Sequence, residues 1–180
     1  MSYRLNHTLA ALVACLIALF TSSTRAQDVG FAKTTIDFGV VVSDLEKSLA
    51  FYTEVVGFKR AGNFTVQPAV ANDAGLTKVT KPVTIEMLKL GDDKTATTLK
   101  LMQFDDPKPT KPASEYIHST LGMSYMTVFV TDTTASLARA AKLGVKPLAK
   151  GPVDLGGGKM YLTLLKDPDG NFVELVGPLK

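Results

Sequence analysis

Apolar and polar positions along the chain change their spacing in a pattern that occurs twice. Residues 36–42 form an apolar, β-branched run that ends at Ser43-Asp44, which predicts a strand. Leu45, Leu49, Tyr52 and Val56 then recur at intervals that place them on one helical face. Asp44 stands where a carboxylate caps the free N–H groups of that helix, and Gly57 where a left-handed residue ends it. Eighty-eight residues on, Ser124 to Asp132 repeats the strand and its acid, and Ser136-Leu137-Ala138 repeats Ser48-Leu49-Ala50 at the same distance from the cap. Gly144 closes the second helix one residue earlier than Gly57 closes the first. So many coincidences in register identify a duplicated module.

Strand-like segments follow each helix. In the first half they are 58–66, 83–90 and 97–104, with a turn at Gly91-Asp92-Asp93. In the second half they are 145–150, 159–165 and 171–176, with Asp167-Pro168-Asp169-Gly170 as the turn. A short helix is expected within 67–76. The pattern predicts an α+β fold: two tandem βαβββ modules whose curved mixed sheets form a half-barrel cleft. The first module covers 27–104 and the second 120–180. Between them 105–119 is a crossover whose Pro107, Pro109 and Pro112 oppose regular structure.

The first 26 residues break this pattern. Arg4 precedes an uninterrupted apolar run from Leu9 to Phe20, and Thr24-Arg25-Ala26 offers small side chains at a signal peptidase site. Twelve helical residues rise only about 18 Å, short of the roughly 30 Å of a bilayer core. Residues 1–26 therefore read as a cleaved signal peptide, and the protein as exported, to the periplasm in a bacterium with two membranes. Leu12-Val13-Ala14-Cys15 also resembles a lipoprotein box that would anchor Cys15. The apolar run continuing to Phe20, where a polar tether is expected, favours cleavage after Ala26.

Composition narrows the chemistry. The chain is 46% hydrophobic and 21% charged, as in an ordinary globular protein. Without Arg4 and Arg25 it holds 18 basic and 17 acidic residues, so there is little reason to expect nucleic acid, or a membrane after signal cleavage, as partner. Cys15 and His7 lie in the leader, which leaves the mature chain no disulfide, no thiol nucleophile and one histidine, His118. A single imidazole cannot supply the two or three that most catalytic zinc and iron sites use. His118 itself, at the end of the crossover, reads more readily as solvated or core than as catalytic. Gly156-Gly157-Gly158 lacks the helix and Lys-Ser/Thr of a phosphate loop and reads as a flexible loop or lid.

Val42-Ser43-Asp44-Leu45-Glu46-Lys47-Ser48, Phe51-Tyr52, Gly57-Phe58 and Lys166-Asp167-Pro168-Asp169-Gly170-Asn171 before Val173-Glu174-Leu175 resemble the vicinal oxygen chelate superfamily. This group includes glyoxalase I, bleomycin-resistance proteins, fosfomycin-resistance enzymes and extradiol dioxygenases. The resemblance covers about residues 35–178 and implies a small-molecule cleft in a monomer or homodimer. In metal-dependent members it implies a ligand seven residues before each capping Asp, here Asp37 and Tyr125, and one on each last strand, here Lys100 and Glu174. Only Glu174 keeps the family's residue type. With Lys100 at a ligand position no cofactor is expected, and a divalent metal is disfavoured; Glu174 and Asp37 are its ligands if one binds.

Alternation places Asp37 on a face with Gly39 and Val41, and Tyr125 with Thr127 and Phe129. The expectation is that Asp37, Lys100, Tyr125 and Glu174 converge on the cleft floor. There the Lys100 ammonium would replace the metal's charge between the two carboxylates. Lys100 reaching the rim and Tyr125 in the core is the other reading. Tyr125, Lys100 and Glu174 are the catalytic candidates, able to enolise a small carbonyl compound as a lyase or isomerase does. Asp37, Arg60 and Glu86 are weaker substrate-binding candidates. Three functions follow: a metal-independent glyoxalase-like protein, a non-catalytic binding or sequestering protein, or a metal-dependent lyase or isomerase.

Overall fold

The computed structural model describes residues 30–180, and the segment expected to be a signal peptide, with His7 and Cys15, lies outside that range. Residues 33–180 form one compact unit. The first module runs β1 (Phe38–Val42), α1 (Leu45–Ala50, continued by a π-helical segment Phe51–Val56), β2 (Lys59–Val66), α2 (Pro68–Asp73), β3 (Val83–Lys89) and β4 (Thr98–Gln103). The second runs β5 (Tyr125–Phe129), α3 (Thr133–Lys142), β6 (Val153–Asp154), β7 (Tyr161–Lys166) and β8 (Phe172–Gly177). The two sheets have matching orders, β1-β4-β3-β2 and β5-β8-β7-β6. In each, the first strand lies parallel to the last and the other pairs are antiparallel. The sheets do not close into a barrel.

The expected caps form. Asp44 accepts from the Lys47 N–H and Asp132 from the Ala135 N–H, while Gly57 and Gly144 take positive φ at the helix ends. One expected strand does not form: 145–150 is irregular, and only the two residues of β6 pair with β7. Pro147 and Pro152 carry no N–H, so this edge cannot sustain a ladder.

A single core cluster joins the modules. Val42, Leu49, Tyr52, Val55, Leu99 and Leu101 from the first half pack with Val128, Ala140, Leu165, Val173 and Leu175 from the second. Arg139 of α3 reaches the far end of α1 and donates to the carbonyl oxygens of Glu54 and Val55, acceptors left open where the helix ends. Because both sheets turn one face to this core, their opposite faces are left for the cleft.

The modules are also locked by polar groups at the Asp167–Asn171 turn. Tyr52, fully buried, donates its phenolic O–H to Asp167 Oδ2 at 2.8 Å. Asp167 also accepts from the N–H groups of Asp169 and Asn171 and from Asn171 Nδ2. Asp169, buried too, accepts from the N–H and hydroxyl of Ser43 at the end of β1, and Lys111 of the crossover lies 3.2 Å away. Burial pushes the Tyr52 phenol above its ordinary value, and the neighbouring Asp167 charge adds to the rise. Burial alone would raise Asp169, but the Ser43 and Lys111 hydrogen bonds outweigh it and hold the carboxyl below its usual range.

A depressed carboxylate contributes stability above its unfolded pKa, near 3.9, and loses it as pH falls through the lower folded value. Asp37, Asp44 and Asp93 are held low as well, so the protein should lose stability steadily below about pH 4. Asp169→Asn removes the charge that Ser43 and Lys111 address. It should cost roughly 1–3 kcal/mol at pH 7 and flatten the acid limb of the profile, as measured by urea denaturation across pH. A variant as stable as the parent would show that the clamp contributes nothing.

Candidate functional site

Side chains alternate across each strand, so the core residues identify the cleft face by elimination. On β4 the fully buried Leu99 and Leu101 face the core, which leaves Lys100 and Met102 on the other side. Register then adds Gly39 and Met87 beside Lys100, and Val41 and Ile85 beside Met102. In the second sheet Val128, Val173 and Leu175 face the core, so Tyr125, Thr127, Phe129 and Glu174 face the cleft. Gly39 sits opposite Lys100 as Thr127 sits opposite Glu174. The ladder thus makes Lys100 and Glu174 equivalent positions of the duplicated module.

Lys100 Nζ stands 3.2 Å from Asp37 Oδ2, and Lys33 hydrogen-bonds Oδ1 of the same carboxylate. The hydrogen bond from Lys33 is the largest effect holding the Asp37 carboxyl below its usual value. Burial opposes it, and Lys100 adds to the lowering. Two ammonium groups share one carboxylate, and the pair of lysines keeps one positive charge in excess. Glu174 is bonded to Thr127 Oγ1 at 2.6 Å and makes no ion pair with Lys100. Tyr125 is half exposed, and it shares a seam cavity of about 240 Å³ with Gly39, Val41 and Phe172. The four expected floor residues therefore occupy the cleft faces of the two sheets in two groups, Asp37 with Lys100 and Glu174 with Thr127, with Tyr125 at the seam.

Arg60 and Glu86 are placed elsewhere. Arg60 is opposite Leu88 in the ladder and Glu86 opposite Leu101, so both lie on the helix-facing side of the first sheet. Glu86 is 8% exposed and accepts from Asn63 Nδ2 at 3.0 Å and Arg60 Nη2 at 3.3 Å. A register shift in β2 between Arg60 and Asn63 lets both donors reach the one carboxylate. They serve each other across the sheet from the Asp37–Lys100 pair. His118 stacks on Tyr116 within the crossover.

As a donor set the floor does not suit a divalent cation. Such ions take four or more N, O or S ligands. Here Asp37 is already shared by two lysines, Lys100 is itself a cation, and Glu174 is bonded to Thr127. Among the described residues no three His, Cys, Asp or Glu side chains come together.

Beside the floor the sequence reading missed a larger feature. A cavity of about 450 Å³ lies on the cleft face of the first sheet, between Val41, Val83, Ile85 and Met102 below and the α2 segment and crossover above. Ala71 of α2, with Val79 and Val83, forms a small second core that holds this roof in place. The signal was present in the alternation: Val83, Ile85 and Met87 are apolar on the face opposite Leu88, so β3 buries both sides. Which segment covers that second face is not written in a strand pattern.

Comparison with known proteins gives the same architecture. A family model for the Glyoxalase/Bleomycin resistance protein/Dioxygenase superfamily matches residues 34–175. A comparison with curated protein sequences gives no significant match. Among solved structures, a glyoxalase family protein from Bacillus cereus superposes with a TM-score of 0.67 at 18% identity, over 86% of this chain and 99% of that one. Glyoxalase I from Zea mays gives 0.58 at 20% identity over 81% of this chain, which spans 45% of the maize protein. The trypanothione-dependent glyoxalase I of Leishmania major gives 0.53 at 22%, over 81% of this chain and 87% of that one. At such identities the likeness speaks to fold alone. The family model, covering both modules, goes further: the chain belongs to the Glyoxalase/Bleomycin resistance protein/Dioxygenase superfamily.

Proposed function

We propose that this protein is an exported, metal-independent member of the superfamily whose cleft binds a small organic molecule. The observation that carries the reading is Lys100. Its ammonium, paired with Asp37 and placed at the position equivalent to Glu174, supplies as a fixed side chain the positive charge that a metal ion supplies in metal-dependent relatives. A lysine there both repels a divalent cation and occupies a carboxylate that would bind one. The cavity of about 450 Å³ on the cleft face of the first sheet is of a size and apolar character suited to a small ligand. Export rests on the leader sequence, with its apolar run and Thr24-Arg25-Ala26.

The groups near the seam limit the chemistry the cleft can perform. Tyr125 can donate or accept a proton through its phenol, Glu174 can accept one, and Lys100 can hold a developing oxyanion. That set is suited to proton transfer beside a carbonyl, as in an isomerase or lyase. Incubation of the protein with candidate carbonyl compounds separates the two functional classes: a ligand recovered unchanged makes this a binding or sequestering protein, and a rearranged or cleaved one makes it an enzyme.

Elemental analysis of the protein purified from a secreting host should find no stoichiometric Mn, Fe, Ni or Zn, and adding these ions should not raise its melting temperature. Near one equivalent of metal per chain, or a stabilisation of several degrees, would overturn the reading. N-terminal sequencing of the same sample should begin at Gln27, and a chain beginning at Met1 would refute export by signal cleavage. Lys100→Met should let the Asp37 carboxyl rise only part of the way to its ordinary value, since Lys33 remains. Asp37's contribution to stability, present above its unfolded pKa and lost as pH falls through the folded one, shrinks accordingly. Carboxyl-carbon NMR titration reads this directly, and an unmoved Asp37 would show that Lys100 does not hold it.

A further inference from the structure

The first sheet's cavity carries information that the floor does not. Ten of its twelve lining residues are apolar, and the two exceptions are Thr77 and Lys108. Its floor is continuous with the Asp37–Lys100 site: Val41 and Met102 are the next residues on the same face after Gly39 and Lys100, one side-chain step of about 7 Å along each strand. At about 450 Å³, and ~30 Å³ for each non-hydrogen atom, it holds a body of up to roughly fifteen atoms.

The lining of this cavity carries charge of one sign. Lys108 lines the cavity and makes no ion pair among the described residues. On the side toward the floor stand Lys33 and Lys100, with one carboxylate between them. The acids of the same stretch of crossover, Asp105 and Asp106, line an adjoining small cavity with Lys81, on the far side of Val83 and Phe104. An apolar chamber whose one charged lining residue is an exposed lysine without an ion-pair partner among the described residues discriminates by two terms. Burial of apolar surface favours a hydrocarbon or aromatic body, and the ammonium favours an anionic head over a neutral one.

We propose that the ligand is an amphipathic monoanion, an organic acid with its apolar body in the first sheet's cavity and its anionic head at Lys108. This rests on the reading that the cleft binds a small molecule, and it names the class. A neutral isostere would still gain the apolar contact but leave Lys108 unmatched. A dianion of the same size would bring a second charge into a chamber with one cation and no buried partner for it.

The test uses naphthalene-1-sulfonate, which joins two fused aromatic rings to one anionic group and stays within that size, as a fluorescent probe of the purified protein. It should bind saturably, at one molecule per chain. Octanoate should displace it at concentrations at least about fivefold lower than 1-octanol, the discrimination expected of one partly exposed ion pair. Lys108→Met should erase that preference and weaken the probe by a similar factor while leaving octanol displacement unchanged. Ala71→Phe, which fills the cavity from its roof, should abolish probe binding in a protein that still melts cooperatively. If that variant fails to fold, the acid–alcohol comparison and Lys108→Met still decide. Non-saturable binding, equal displacement by acid and alcohol, or indifference to Lys108→Met would overturn the proposal. Metal analysis reports on the floor independently. A metal-loaded protein that prefers octanoate sinks the metal-independent reading alone, and a metal-free one without the preference sinks this inference alone.

Discussion

Two carboxylates buried in the turn between β7 and β8 set the terms on which the halves of this molecule meet. A buried carboxylate costs several kcal/mol unless its lone pairs are matched by donors. Asp167 and Asp169 find some of those donors inside their own turn, but the remainder come from distant chain: Tyr52 in α1, Ser43 at the end of β1, and Lys111 in the crossover. The second module's turn is therefore satisfied only when the first module and the crossover are in place. The hydrophobic core that spans both halves supplies most of the free energy, but it is tolerant of small slides, whereas hydrogen bonds to buried charge are not. Because β1 and β5 border the cleft, the register enforced by this turn also sets the spacing between Asp37, Lys100, Tyr125 and Glu174.

Duplication gives the cleft its symmetry, and the connections remove it. The β2–β3 connection is long enough to contain α2, which folds over the first sheet with the crossover and makes a roofed apolar chamber. The β6–β7 connection is short and glycine-rich, and the second sheet's cleft face stays open, with Phe129 74% exposed. Charge follows the same division. The first sheet presents Lys33, Lys100 and Asp37, and the second presents Glu174 with the hydroxyls of Tyr125 and Thr127. A ligand in this cleft meets an apolar, cationic side and an open side with one carboxylate. That is a different problem in recognition from chelating a symmetric metal centre, and the departures at Asp37, Lys100 and Tyr125, three of the four ligand positions, are consistent with it.

Local order was legible in the sequence because it is governed by local rules. Helices α1 and α3, their aspartate caps and closing glycines, seven of the eight strands and the Asp167–Gly170 turn follow from periodicity and turn chemistry over short spans of chain. The duplication was legible too, since the same rules applied twice leave the same signature 88 residues apart. The alternation that placed Asp37 beside Gly39 and Val41 needed no partner strand. The edge strand failed where local reasoning is weakest. Residues 145–150 have strand-like composition, but an edge needs free N–H groups along its length, and Pro147 within the segment and Pro152 just after it deny them.

What tertiary structure alone decided is which faces are covered and which charges meet. Glu86 has the same alternation whether it points to the cleft or to the helices, and only its register against Leu101 puts it with Arg60 and Asn63 on the helix side. Lys100 is expected between Asp37 and Glu174; its pair with Asp37 forms, while Glu174 accepts from Thr127, because an ion pair forms at a distance that no strand pattern specifies. The apolar chamber depends on 67–82 and the crossover folding back over β3 and β4, a long-range event driven by burial of surface and not by any motif. Sequence determined the modules and the chemistry available to them. The positions of the roof, the clamp and the charges were settled by packing, since the free energy of burial depends on which surfaces come together and not on where they lie along the chain.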